Sequence, residues 1–103
     1  MLNILKSLFG GSSTDYAQLV KDGAQIIDVR TPGEYASGHI RGSKNIPLNE
    51  LQGKMKQINK DKPVITCCAS GMRSASAKGI LKSNGYSEVY NGGGWSSLQS
   101  KLR

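Results

Sequence analysis

Val64-Ile65-Thr66-Cys67-Cys68-Ala69-Ser70-Gly71-Met72-Arg73-Ser74 is a β-branched run that ends in a thiol, a small-residue loop and an arginine. It reads as a strand, Val64 to Cys67, feeding a tight loop that opens a helix. Backbone N–H groups and a helix N-terminus then surround the Cys68 sulfur. The positive end of a helix and amide donors both favour an ionised thiol, so a cysteine there falls below its free pKa of about 8.5. Read without function, the same residue is a buried structural cysteine at a strand end.

Outward from this stretch, strand and helix patterns alternate. Ala24 to Val29 is a short β-branched run suited to a buried parallel strand. Before it, Ser12, Ser13 and Thr14 are N-cap candidates for a short helix bearing Tyr16, Leu19 and Val20 that stops near Asp22-Gly23. After it, Pro32 suits the first turn of a helical piece over Thr31 to Ala36, halted by Gly38, and Ser43 to Ile46 is a weak strand before Pro47. Leu48, Leu51, Met55 and Ile58 recur at helical spacing, with Gly53 inside at a cost of about 1 kcal/mol relative to Ala.

Beyond the thiol loop, Ala77, Ile80 and Leu81 mark a helix ending at Asn84-Gly85. Ser87 to Tyr90 is a last strand, Gly92-Gly93-Gly94 a turn, and Trp95, Leu98 and Leu102 the stripe of a final helix. This alternation predicts an α/β fold with a parallel sheet covered on both faces. Ligands in such sheets sit outside the carboxyl ends of the strands, where Asp28 and Cys68 both fall.

At 103 residues the chain is one domain. Its two cysteines are adjacent, with no framework of spaced pairs, which points to an intracellular, cytoplasmic, thiol-bearing protein. The net charge of +7 is uneven: residues 1–50 carry five basic and five acidic groups, residues 51–103 nine and two. A positive field around the thiol loop suits a small anionic substrate. Nucleic acid is not expected, because no dense basic run interleaved with aromatics is present. Residues 1–11 form an N-terminal amphipathic appendage, apolar at 1, 4, 5 and 8 and closed by Gly10-Gly11, ahead of a domain over 12–103. Its expected role is packing on its own domain or on a second copy, with membrane contact through residues 1–9 the lesser reading.

Ile27-Asp28-Val29-Arg30, Glu34-Tyr35, Gly38 to Pro47, Cys68 to Ser74, Gly85 to Tyr90 and Gly92 to Trp95, in this order and spacing, resemble the single-domain rhodanese-like sulfurtransferase family. The resemblance implies a three-layer α/β/α fold with a parallel five-stranded sheet. It also implies a catalytic Cys68 that takes sulfane sulfur from thiosulfate or a persulfide donor, holds it as a cysteine persulfide and passes it to a thiophilic acceptor. Ala69, Ser70, Gly71, Met72, Arg73 and Ser74 become the substrate-binding loop, its amides cradling thiolate and persulfide. Gly71 supplies backbone freedom, Ser74 caps the helix or donates to sulfur, Met72 walls the pocket, and Arg73 either fixes the anionic donor or braces the loop. Asp28, Arg30, Glu34 and His39 match family positions outside the loop. They read as structural support, the first three forming a polar network and His39 bonding to backbone, ahead of Asp28 or His39 acting as acid or base. No cofactor is implied, and a lone histidine without partners at ligand spacing gives no metal site. The implied partners are a small anionic sulfur donor and a protein persulfide donor or sulfur acceptor, reached through a pocket that short loops leave open.

Two rivals stand beside this reading. Counted from Cys67, five residues precede Arg73-Ser74, the signature of cysteine-dependent phosphatases and related arsenate reductases; counted from Cys68, four do. Gly71 and Arg73 fall three and five residues after Cys68, Cys67 completes the strand, and Thr66 stands where phosphatases usually carry histidine, all favouring Cys68. The other rival is a noncatalytic rhodanese-like binding module, against which the retained Cys68 loop argues.

Overall fold

The computed structural model describes residues 14–103; the expected N-terminal appendage lies outside them. The elements run α1 (Tyr16–Lys21), β1 (Gln25–Asp28), α2 (Pro32–Ala36), β2 (Lys44–Asn45), two 3-10 segments (Leu48–Glu50 and Gln52–Gln57), β3 (Val64–Cys68), α3 (Met72–Ser83), β4 (Val89–Gly94) and α4 (Trp95–Lys101). The strands form one parallel sheet in the order β2-β1-β3-β4. These are the four strands that the hydrophobic pattern marks. The fifth, implied by resemblance alone, is not among the described residues.

The pleat sorts side chains into two cores. Ile27, Val29, Val64 and Cys68 face a layer of Ala77 and Leu81 from α3 with Leu51 and Ile58 from the 3-10 region. Ile26, Ile65 and Cys67 face the other side, with Leu98 of α4 and the half-buried Leu19 and Val20 of α1. Period-two alternation therefore sends the two adjacent cysteines to opposite layers.

Three local readings are corrected. The helix expected across Leu48 to Ile58 is two 3-10 segments, the second kinked at Lys54 (φ −120°, ψ 20°) just after Gly53. Asp15 caps α1 by accepting from the Gln18 N–H at 3.0 Å, in place of Ser12, Ser13 or Thr14. The glycine triplet is not a turn after the last strand but its continuation.

That triplet belongs to the β3–β4 seam. Pairing runs Val64 to Val89, Ile65 to Tyr90 and Thr66 to Asn91, then shifts so that Cys68 pairs with Gly94. One extra residue is thus accommodated on β4, as in a bulge. A Cβ on Gly92 would lie 2.8 Å from the Thr66 carbonyl oxygen and 2.9 Å from both Ile65 Cγ2 and Leu98 Cδ2, so only glycine lets the strand pass.

Gly92→Ala is expected to destabilise the domain by about 1–3 kcal/mol through overpacking. Gly79→Ala, in the exposed middle of α3 with nothing within 4 Å of the new Cβ, should stabilise it by up to about 1 kcal/mol. Urea denaturation of both variants reads the opposite signs.

Candidate functional site

β3 delivers Cys68 to the sheet's carboxyl end, and the chain turns at once into α3. Gly71 makes the turn possible: it sits at the α3 N-cap with φ +111°, a conformation costly to residues with a Cβ. The turn aims the Gly71 N–H at Cys68 Sγ (3.0 Å) and the Ser74 N–H at the same sulfur (3.3 Å). Ser74 Oγ lies 3.5 Å from the sulfur.

Burial pushes the Cys68 thiol up. Hydrogen bonds to the thiolate, from the Ser74 hydroxyl when its proton turns to the sulfur and from the Ser74, Gly71 and Ser70 amides, outweigh it, and the thiol lies below its ordinary value. Cys67 shows the opposite balance. Desolvation, with Asp28 adding to it, pushes its thiol up to about 12, so Cys67 stays protonated.

Cys68 is 1% exposed, and the residues that follow it in the loop, Ala69, Ser70 and Met72, are exposed, Met72 at 81%. Cys68 itself is buried, its side chain packing with the core of Val29, Val64 and Leu81. Ser74 does not cap α3. Its single hydroxyl proton has two oxygen acceptors within reach, Asn91 Oδ1 (2.6 Å) and the Gly71 carbonyl (3.0 Å). Thr66 Oγ1 holds the Ser74 carbonyl at 2.9 Å.

The Arg73 guanidinium is held by Glu34, with Nη1–Oε1 2.8 Å and Nη2–Oε2 3.0 Å. This two-pronged pair ties α3 to α2, where Thr31 and Glu34 form a reciprocal N-terminal cap. Of the two roles read for Arg73, this geometry is the brace. The Arg73 hydrogen bond, followed by the Thr31 amide, brings the Glu34 carboxyl down to about 2.

Asp28 and Arg30 pair at 2.7 Å, both buried. Arg30 also donates to the Gly38 carbonyl (2.7 Å) and stacks 4.8 Å above Trp95. Its link to Glu34 runs through that residue's carbonyl at 3.2 Å, so the Glu34 carboxylate leaves the expected three-residue network for Arg73. His39 Nδ1 donates to the Tyr35 carbonyl at 2.8 Å, and its ring stacks on Tyr35. Among the described residues no three metal-ligating side chains converge, and no helix is long and apolar enough to cross a membrane.

Sequence reading missed Asn91. Its Oδ1 accepts from the Gly93 N–H (2.9 Å) as well as from Ser74, and its carbonyl accepts from the Tyr16 hydroxyl at 3.1 Å. Only an isolated polar residue ahead of the glycine triplet marks it in the sequence.

The rhodanese-like domain family matches residues 12–101. The uncharacterized protein YqhL of Bacillus subtilis is 43% identical over 78% of this chain and 64% of its own, so the match spans just under two thirds of that relative. A thiosulfate sulfurtransferase GlpE of Pseudomonas paraeruginosa is 36% identical over 72% of this chain and 67% of its own. A solved structure described as rhodanese with anions from E. coli superposes with TM-score 0.69 at 36% identity, covering 73% of this chain and 91% of that one.

Glu34 is depressed below its unfolded value, so the stabilisation from its pairing is complete above the ordinary carboxylate range and is lost as pH falls through about 2. NMR titration of the Glu34 carboxyl should give a midpoint near 2 that climbs in Arg73→Ala. An unmoved midpoint would show that Arg73 is not the brace.

Proposed function

The chain belongs to the rhodanese-like domain family, and on that basis we propose that it is a sulfurtransferase whose Cys68 carries sulfane sulfur as a persulfide. The observation that carries this reading is the convergence of the Gly71 and Ser74 amides on one sulfur, at 3.0 and 3.3 Å.

The Cys68 thiolate attacks the outer sulfur of thiosulfate. A new S–S bond forms on Sγ, the sulfur–sulfur bond of thiosulfate breaks, and sulfite leaves with the electron pair. The product is the persulfide anion. A thiophile such as cyanide then attacks the terminal sulfur, takes it as thiocyanate and returns the thiolate, so charge balances at each half. Neither half requires a proton at the sulfur, and the buried Asp28–Arg30 pair and the backbone-bonded His39 serve as support.

The buried position of Cys68 favours a donor that presents a single sulfur atom at its tip, as thiosulfate or a persulfide does. On this reading Ala69 to Met72 line the approach, with Met72 its exposed wall. The surplus of nine basic over two acidic groups in residues 51–103 draws anions. A protein persulfide as donor or a protein thiol as acceptor fits the same chemistry. Two free cysteines fit a reducing compartment, and we place the protein in the cytoplasm. Phosphatase or arsenate chemistry from Cys67 is disfavoured, since that thiol faces the apolar layer of Ile65 and Leu98 and stays protonated.

Steady-state assays with thiosulfate and cyanide should give the parallel double-reciprocal lines of a ping-pong reaction. Cys68→Ser should lose about a thousandfold or more, as removal of a nucleophile does, while Cys67→Ser keeps turnover. Turnover that survives Cys68→Ser would overturn the assignment.

A further inference from the structure

Ser74 is buried and has one hydroxyl proton, yet three acceptors surround its Oγ: Asn91 Oδ1 at 2.6 Å, the Gly71 carbonyl at 3.0 Å and Cys68 Sγ at 3.5 Å. The Gly93 N–H donates to Asn91 Oδ1 at 2.9 Å, which fixes the side-chain amide with its oxygen toward Ser74. An amide oxygen cannot donate, so the Ser74 hydroxyl gives its proton to Asn91 and turns a lone pair toward the sulfur. That orientation suits a thiol, whose S–H donates to Oγ. It is wrong for a thiolate, which needs the hydroxyl proton itself. Turning the proton to sulfur leaves two oxygen atoms 2.6 Å apart with nothing between them.

We infer that Asn91 is a positioning residue that competes with the Cys68 sulfur for the Ser74 hydroxyl proton, and so sets how readily that sulfur gains and sheds negative charge. Its role in turnover rests on the sulfurtransferase reading. When the persulfide forms, the negative charge moves to the terminal sulfur, one S–S bond of about 2 Å beyond Sγ, and the hydroxyl returns to Asn91. A thiolate held too well is a poorer nucleophile, one held too weakly a poorer leaving group on discharge, and the competition places Cys68 between them.

The other ionisable groups near the sulfur have partners of their own. Cys67 on β3 stays protonated, Asp28 and Arg30 from the β1 side pair with each other, and Arg73 of α3 is bound to Glu34 of α2. Tyr16 of α1 gives its proton to the Asn91 carbonyl, and Tyr90 of β4 gives its own to Glu88.

The test is the pH titration of Cys68 by the ultraviolet absorbance of its thiolate, which needs no sulfur donor. Asn91→Ala removes the nearer oxygen competitor, leaving the Gly71 carbonyl at 3.0 Å, and should lower the midpoint by about half a pH unit, the scale of one neutral hydrogen bond. Asn91→Asp keeps the size and both acceptor contacts, gives up the long Nδ2 contact to the Gly71 carbonyl (3.5 Å), binds the proton more tightly and adds negative charge, so its midpoint should rise. In a Ser74→Ala background, Asn91→Ala should have no effect. Shifts of the same sign in both variants, no shift, or a shift that persists without the Ser74 hydroxyl would each overturn the inference. Should Asn91→Ala fail to fold, Asn91→Asp decides alone, a midpoint unchanged or lowered counting against it. Failed sulfur transfer alongside the expected thiol shifts would refute the activity and leave the proton competition standing.

Discussion

Two amide donors reach the Cys68 sulfur because the chain reverses within three residues of the end of β3, and that reversal depends on Gly71 holding φ +111°. Around this turn the structure is arranged as a set of restraints. Thr66 holds the Ser74 carbonyl from below, Asn91 holds its hydroxyl from the neighbouring strand, and Arg73 ties the start of α3 to Glu34. Donors already in place when charge develops require no reorganisation, which is what makes amides at fixed distance effective near an anionic sulfur. The β4 bulge is part of the same device: it follows Asn91, whose Nδ2 lies 3.5 Å from the Gly71 carbonyl, and the register shift sets Gly94 beside Cys68.

The vicinal cysteines show how far environment governs identical side chains. Cys68 points to the side where loop amides converge and is drawn toward the thiolate; Cys67 points to the other, into Ile26, Ile40, Ile65 and Leu98, and is pushed up to about 12. Strand alternation alone assigns these fates. It also separates the two loop registers: the one counted from Cys68 has donors aimed at its sulfur, whereas the one counted from Cys67 begins at a residue facing away.

Much of this was legible in the sequence, for identifiable reasons. Cys68, the turn at Gly71 and the four strands follow from β-branched runs, periodicity and turn residues, all local signals. Where the sequence misled, tertiary contact decided. The apolar spacing across Leu48 to Ile58 is real, yet Leu48–Glu50 meets α3 as a 3-10 turn and the chain kinks beyond it at Lys54. Gly92 to Gly94 looks like a turn, but Gly92 is required by the close approach of β3 and α4, Gly93 by its φ of +79°, and Gly94 by the Ala69 carbonyl oxygen 2.9 Å from where a Cβ would stand. Asn91 and the pairing of Arg73 with Glu34 join residues 17 and 39 positions apart in the chain, and no local pattern encodes such a distance.

The most direct measurement is the intact mass of the reduced protein after exposure to thiosulfate, compared among the natural sequence, Cys67→Ser and Cys68→Ser. A sulfurtransferase built on this loop gains the mass of one sulfur atom in the first two, gains nothing in Cys68→Ser, and returns to its starting mass on addition of cyanide. No adduct on the natural sequence, or one that depends on Cys67, would contradict the account.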